Sequence, residues 1–368
     1  MSFFRKIDLI AILLVFGVSL FAGSELDSRV RELEKQMTQV RTGNPSRTFG
    51  ANTASARPDI QATGFFLSFD VLYWQAKAGG TEYCYTDGVA NGALPERGTV
   101  YEGNPGWSWG LRAGIGYNFE HGHWDIYANY TYFSSHHNTM KTSALNGSIM
   151  PLKGGSSVFQ YTAAGKATSQ FKFCFNRLDL ELGRDFFVAE FLSFRPHFGL
   201  MGAWMDIQQT LHYSGGNTIG NNYVYVKDTS DLSGIGPRVG ANSKWYLGCG
   251  FSFFGNASGA LAYSNIEVRH KENYSLNTLN NSIHLNGDFH RFVPTAQLQL
   301  GLALDRFVLE DTQHITLSLG WDIEYFWRAN QFLTTAYPNL NSTHGPTYER
   351  ASEDVSLQGV TLQFLWAF

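Results

Sequence analysis

Charge is what this 368-residue chain is short of: Asp, Glu, Lys and Arg together make up 16% of it, and the net charge at pH 7 is only −4. No run rich in Lys or Arg occurs, which removes the basic face that nucleic-acid binding requires. Cysteine is scarce too. Cys84, Cys174 and Cys249 fit no zinc spacing, and an odd number leaves at least one thiol free or paired between chains. Long apolar runs are missing: outside residues 9–21 nothing approaches the roughly 18 apolar residues that a membrane helix needs. Site chemistry is equally thin. Gly234-x-Gly236-x-x-x-Gly240 has the wrong spacing for a dinucleotide loop and contains Pro237. His121 with His123, and His136 with His137, lack acidic or Cys companions at ligand spacing and read as turn and loop histidines. No metal, cofactor or catalytic residue is expected, and the chain reads as a non-enzyme.

Aromatic residues, by contrast, reach 15%, glycine numbers 38, and the mean hydropathy is −0.19. An apolar outside wrapped around a wet inside averages to such a value, because half of each strand is apolar and half polar. The order of residues supports this. From Gly64 onward the apolar period is two. In 107–119, Trp107, Trp109, Leu111, Ala113, Ile115, Tyr117 and Phe119 share one face, and Ser108, Gly110, Arg112, Gly114, Gly116 and Asn118 the other. After a turn at 120–123 the pattern restarts with Trp124, Ile126, Ala128, Tyr130 and Tyr132, so the pair forms a hairpin. Similar alternation marks 65–77, 192–205, 235–247, 291–304 and 314–327. A membrane-spanning backbone without long apolar helices has to close into a barrel.

Two segments disturb the period. Phe171, Phe173 and Phe175 are odd, whereas Leu178, Leu180 and Leu182 are even; a bulge near Asn176–Arg177 would restore the register. Segment 251–268 is irregular as well. Short connections are expected near 120–123, 186–191, 249–253 and 307–313. Long loops are expected over 78–106, 136–168, 212–233, 272–289 and 329–352. The expected fold is all-β: a transmembrane antiparallel β-barrel of about ten strands, or twelve if 136–168 hides a hairpin around Val158–Tyr161, with both ends periplasmic.

Ahead of the barrel, Arg5 and Lys6, the apolar run 9–21 and Ala22-Gly23-Ser24 read as a signal peptide, residues 1–23. Leu26, Val30, Leu33, Met37 and Val40 form a heptad seam, so 24–41 reads as a short N-terminal helix able to join copies into a homo-oligomer. Residues 42–63 read as a periplasmic linker and 64–368 as the barrel. At the far end Val360, Leu362, Phe364, Trp366 and Phe368 alternate to a terminal aromatic. Phe364, Trp366 and Phe368 resemble the insertion signal read by the barrel-assembly machinery of Gram-negative bacteria. Trp74, Trp107, Trp124, Trp204, Trp245, Trp327 and Trp366 suit interfacial girdles contacting outer-membrane lipid, with Trp74 the exception on the polar face of its strand.

SFDVLYWQAK (68–77), WGLRAGIGYNF (109–119), LDLELGRDFF (178–187), RPHFGLMGAW (195–204) and GIGPRVGANSKWYLGCGFSFFGNASGALAY (234–263) resemble the pore-forming outer-membrane family typified by the Legionella major outer-membrane protein, which also has relatives in chlamydia-related bacteria. The resemblance covers most of 64–368 and is weakest in the long loops. It implies a general porin, passing small hydrophilic solutes, or a major surface protein, and it carries no catalytic motif. The side chains then assigned to the lumen are Asp70, Arg112, Asp125, Arg177, Asp179, Glu181, Arg195, His197, Arg238, Lys244, Arg291, Asp322 and Glu324. They either line a polar channel or fill a narrow barrel with salt bridges; the resemblance favours the channel. The alternatives are a non-conducting structural or adhesive barrel and, third, a barrel enzyme. Cys84, if it sits in an outer loop, is the candidate for a disulfide between chains.

Overall fold

The computed structural model describes residues 64–86, 98–103, 105–119, 124–142, 149–154, 163–189, 191–216, 222–276, 279–308, 313–336 and 347–368. The signal, heptad and linker segments expected over 1–63 lie outside these residues, as does the hairpin considered around Val158–Tyr161.

Ten long strands form the wall: β1 (Gly64–Ala78), β2 (Trp107–Asn118), β3 (Trp124–Thr142), β4 (Lys166–Arg184), β5 (Leu192–Ser214), β6 (Tyr223–Gly248), β7 (Phe251–Leu276), β8 (Leu279–Val308), β9 (Gln313–Asn330) and β10 (Glu353–Ala367). Each pairs antiparallel with its sequence neighbour, and β1 closes on β10 from Phe66↔Ala367 to Ala78↔Val355. Closure leaves the membrane-level wall with no free strand edge, which the hydrocarbon of a bilayer demands. The short piece Phe186–Ala189 follows β4 and pairs with β5.

Four of these strands exceed 20 residues, and β8 reaches 30. A tilted strand needs only about 9–11 residues to cross a bilayer. The excess projects at one end, and there the amphipathicity inverts. On β4, Leu178 and Leu180 point outward and are exposed, whereas Arg177, Asp179 and Glu181 point inward and are buried. Beyond Arg177 the same alternation continues without a break, but Phe171, Phe173 and Phe175 now point inward and are buried, with Lys166, Gln170 and Lys172 outside. The register of β4 with β3 and β5 is continuous through Asn176 and Arg177, so the expected bulge is absent. The wall has left the lipid: outside it now needs water-compatible side chains, and inside it can pack an apolar core. The irregularity noted at 251–268 has the same cause, since Tyr263 is exposed while Ile266 and Val268 are buried.

Two expected long loops are thereby corrected. Strands β5 and β6 pair up to Ser214↔Tyr223, and β7 and β8 up to Leu276↔Leu279, so 212–233 and 272–289 are mostly strand. The short connections at the opposite end fall where the sequence places them, with Gly248 and Gly250 in left-handed backbone at the β6–β7 turn. Phe65, Phe119, Trp124, Phe253 and Trp366 ring the short-turn end of the lipid-facing band, and Tyr73, Trp109, Trp204, Tyr263 and Trp327 ring its other border.

Candidate functional site

The lumen is built in layers. Nearest the short turns lies a polar vestibule of about 310 Å³, whose wall includes Asp125, Tyr127, Arg195, Lys244 and His314. Inward-facing glycines make its volume usable. A Cβ on Gly116 would sit 2.1 Å from the ring of Phe66, and one on Gly114 would sit 2.4 Å from the Tyr127 hydroxyl. Arg195 donates through Nε to Asp125 Oδ2 at 2.9 Å and pairs with Glu181 at 3.3 Å, which also lies 3.5 Å from His197. Lys244 pairs with Asp305 at 2.7 Å, and Asp305 lies 3.2 Å from His314.

Above the vestibule the charges cross the barrel. Arg112 on β2 reaches Asp70 at 3.2 Å, Asp322 at 3.1 Å and Glu324 at 3.4 Å. Arg177 on β4 meets Glu324 on the opposite strand β9 at 2.7 Å and Asp179 at 2.8 Å. Arg238 on β6 donates to Asp179 at 3.3 Å and to Gln297 at 2.7 Å. The ions of this layer are nearly all shielded from solvent, with Asp70, Asp179 and Asp322 at 0% exposure. Ions so buried persist only because each is paired.

A third layer is apolar. Trp74, Phe133, Phe173, Phe175, Met201 and Phe326 are buried together in the lumen. Trp74, inward as its position in the strand demands, donates its indole N–H to Thr361 at 3.1 Å and accepts the Arg112 guanidinium over its ring at 5.4 Å. A Cβ on Gly359 would lie 2.8 Å from the Trp74 ring, so the glycine seats the indole.

Beyond this septum, Lys153 enters from the β3–β4 connection. Its ammonium donates to Gly80 O at 2.8 Å, Gln209 Oε1 at 2.9 Å and Asp228 Oδ2 at 3.1 Å. Asp228 in turn holds His270, whose other ring nitrogen meets Glu272 at 2.6 Å. A cap of loop strands, Glu82–Tyr85, Val100–Glu102 and Met150–Pro151, closes the long-loop mouth, burying Tyr83, Cys84 and Ile149 against Leu211, Tyr213 and Val226 of the wall.

A family model described as Legionella pneumophila major outer membrane protein precursor matches residues 58–368. The chain belongs to that family. No curated protein matches it. Among solved structures, the outer membrane protease OmpT of Escherichia coli is similar at 9% identity and TM-score 0.39, over 83% of this chain and 97% of that one. A Pseudomonas aeruginosa FadL homologue follows at 7% and 0.24, covering 90% and 94%, and the Pseudomonas putida toluene transporter TodX at 10% and 0.20, covering 90% and 95%. Likeness at these values carries no argument about what this family member does. Family and barrel together fit an outer-membrane location.

Twelve of the thirteen side chains assigned to the lumen from sequence meet in the vestibule and charged layer. Arg291 does not. It lies where β8 has parted from β9, donates to Ser352 at 3.1 Å, and borders a cleft in the wall. Cys84 lies in the cap, fully buried and free, so a disulfide between chains requires the cap to open. Asp305 belongs to the vestibule and is found by extending the inward parity of Gln297 and Gln299 to the end of β8. Lys153, Asp228 and Glu272 carry no such signal, because their segments read as loop, and His270 falls between the irregular segment 251–268 and the loop expected from 272. Gly106-Trp107-Ser108-Trp109-Gly110 has the spacing of a hydrolase nucleophile elbow, yet Ser108 lies on strand β2 and gives its hydroxyl to Ser134 O at 2.7 Å.

Proposed function

We propose that this family member is a diffusion pore for small hydrophilic solutes in the outer membrane, shut in this conformation by the aromatic septum, and that it doubles as an abundant surface protein. The vestibule carries the reading. A structural plug needs no polar chamber of about 310 Å³ opening at the short-turn end, whereas a solute path does. The barrier above it consists of side chains from opposing strands, which can move without unpairing the wall. Six carboxylates (Asp70, Asp125, Asp179, Glu181, Asp322 and Glu324) face four guanidinium groups (Arg112, Arg177, Arg195 and Arg238), which supports no more than a weak preference for cations. The reading involves no catalysis.

The same proposal turns the short-turn end, with Gly64 and Phe368, to the periplasm and the cap to the cell exterior. It has residues 1–23 removed on export and Phe364, Trp366 and Phe368 engaged by the barrel-assembly machinery. It also lets residues 24–41 join copies of the chain, which cross-linking with and without that segment tests. A non-conducting structural barrel is the second reading, favoured by the double seal of septum and Lys153-pinned cap. Swelling of proteoliposomes in sugars of graded size separates the two. The pore reading expects swelling that falls with solute size; no swelling from wild type or from a Phe175→Ala/Phe326→Ala variant would leave only the structural barrel.

A further inference from the structure

The pairing of β8 with β9 stops at Thr295↔Phe326, while β8 continues to Leu279 against β7 alone. On β9 the register with β10 slips between Phe326 and Asn330, and Arg328 sits in left-handed backbone at φ 53°, uncommon for a residue with a side chain. Asp354 fixes this bulge, accepting the Arg328 backbone N–H at 2.6 Å and the Tyr325 hydroxyl at 2.5 Å. A sideways cleft of about 760 Å³ opens between the β7–β8 hairpin and the β9–β10 connection.

Three arginines line this cleft, Arg291, Arg328 and Arg350. Asp288 is the carboxylate on its wall, and among the described residues no carboxylate lies within ion-pair distance of any of the three. Arg291 Nε is buried without a hydrogen-bond partner, and the Arg350 guanidinium lies over the Phe289 ring at 4.4 Å. Gathering three like charges beside a built backbone bulge is unfavourable unless an anion joins them.

Depth identifies the anion's carrier. Phe292 and Trp327, lipid-facing and exposed, immediately follow Arg291 and precede Arg328 in sequence and belong to the aromatic border of the apolar band. Lipid headgroups lie at that level. We propose that the Arg291–Arg328–Arg350 cleft binds the phosphate of a lipid in the leaflet at the long-loop end, with the acyl chains lying along Phe292 and Trp327. Forked guanidinium groups suit phosphate oxygens better than ammonium groups do.

The test is native mass spectrometry of the full barrel in detergent with bisphosphorylated lipid A, its dephosphorylated counterpart and inorganic phosphate as probes. Wild type should retain the bisphosphorylated lipid, and Arg291→Gln/Arg328→Gln/Arg350→Gln should retain at least about tenfold less, because the charge-assisted hydrogen bonds to the phosphate are lost. A control removing the same charge from the outer wall, Lys166→Gln/Lys172→Gln/Lys271→Gln, should bind as wild type does. The single Arg350→Gln, outside the wall, should lose part of the binding in the same direction, whether or not the triple variant folds. Equal retention by wild type and Arg350→Gln, or equal retention of the dephosphorylated lipid, overturns the proposal. Displacement of the lipid by inorganic phosphate at equal concentration overturns the assignment to a lipid.

Discussion

Phe175 on β4 and Phe326 on β9 face each other edge to face, their ring centroids 5.5 Å apart, although their strands lie on opposite sides of the barrel. The contact spans the lumen, so the septum is a packed core and obeys core energetics. Phe175→Ala or Phe326→Ala should each cost on the order of 3–5 kcal/mol, the range for removing a buried Phe. Urea-dependent unfolding from vesicles measures it; a cost near zero would mean that the rings do not pack.

Arg112 serves three carboxylates at once. Arg112→Met strands Asp70 and Asp322 in the lumen, while Glu324 keeps Arg177, and breaking a buried pair from one side typically costs about 3–5 kcal/mol. Adding Asp322→Asn should recover part of this loss. Strict additivity of the two substitutions in a double-mutant cycle would contradict the network.

Burial pushes the Cys84 thiol up to about 11. In the folded barrel it should resist iodoacetamide at pH 8, while the exposed Cys249 reacts. The native state holds the Cys84 proton more tightly than the unfolded chain. The stabilising contribution is therefore complete below the unfolded thiol's pKa near 9 and is lost as pH rises toward 11. Mass-mapped alkylation across pH checks it, and Cys84 labelling as fast as Cys249 at pH 8 would count against a closed cap.

Lys153 is the cap's ionic anchor. Lys153→Met should leave the membrane band intact but loosen residues 149–154, seen as faster proteolytic cleavage there with an unchanged heat-dependent gel shift. Unchanged cleavage would mean that the apolar contacts of Ile149 and Tyr83 hold the cap alone.

The membrane-level half of the fold is legible in the sequence because lipid permits one pattern: Leu111, Ile115 and Leu180 outside, Arg112 and Asp179 inside. The charged layer follows from that parity, and so do twelve lumen residues. The projecting half is hidden for a physical reason. Above the lipid border the alternation of Phe171, Phe173 and Phe175 keeps its parity but exchanges its meaning, which a reader assuming lipid on one side takes for a bulge or a loop. Lys153, Asp228 and His270 fall in that half, and Arg291 at its border is misplaced by the same assumption.

Single-channel recording in planar bilayers tests the central claim most directly, comparing wild type with Phe175→Ala/Phe326→Ala. The account predicts rare, brief openings in wild type and long-lived ohmic steps once the septum rings are removed. Two correctly folded barrels that both stay silent would contradict it.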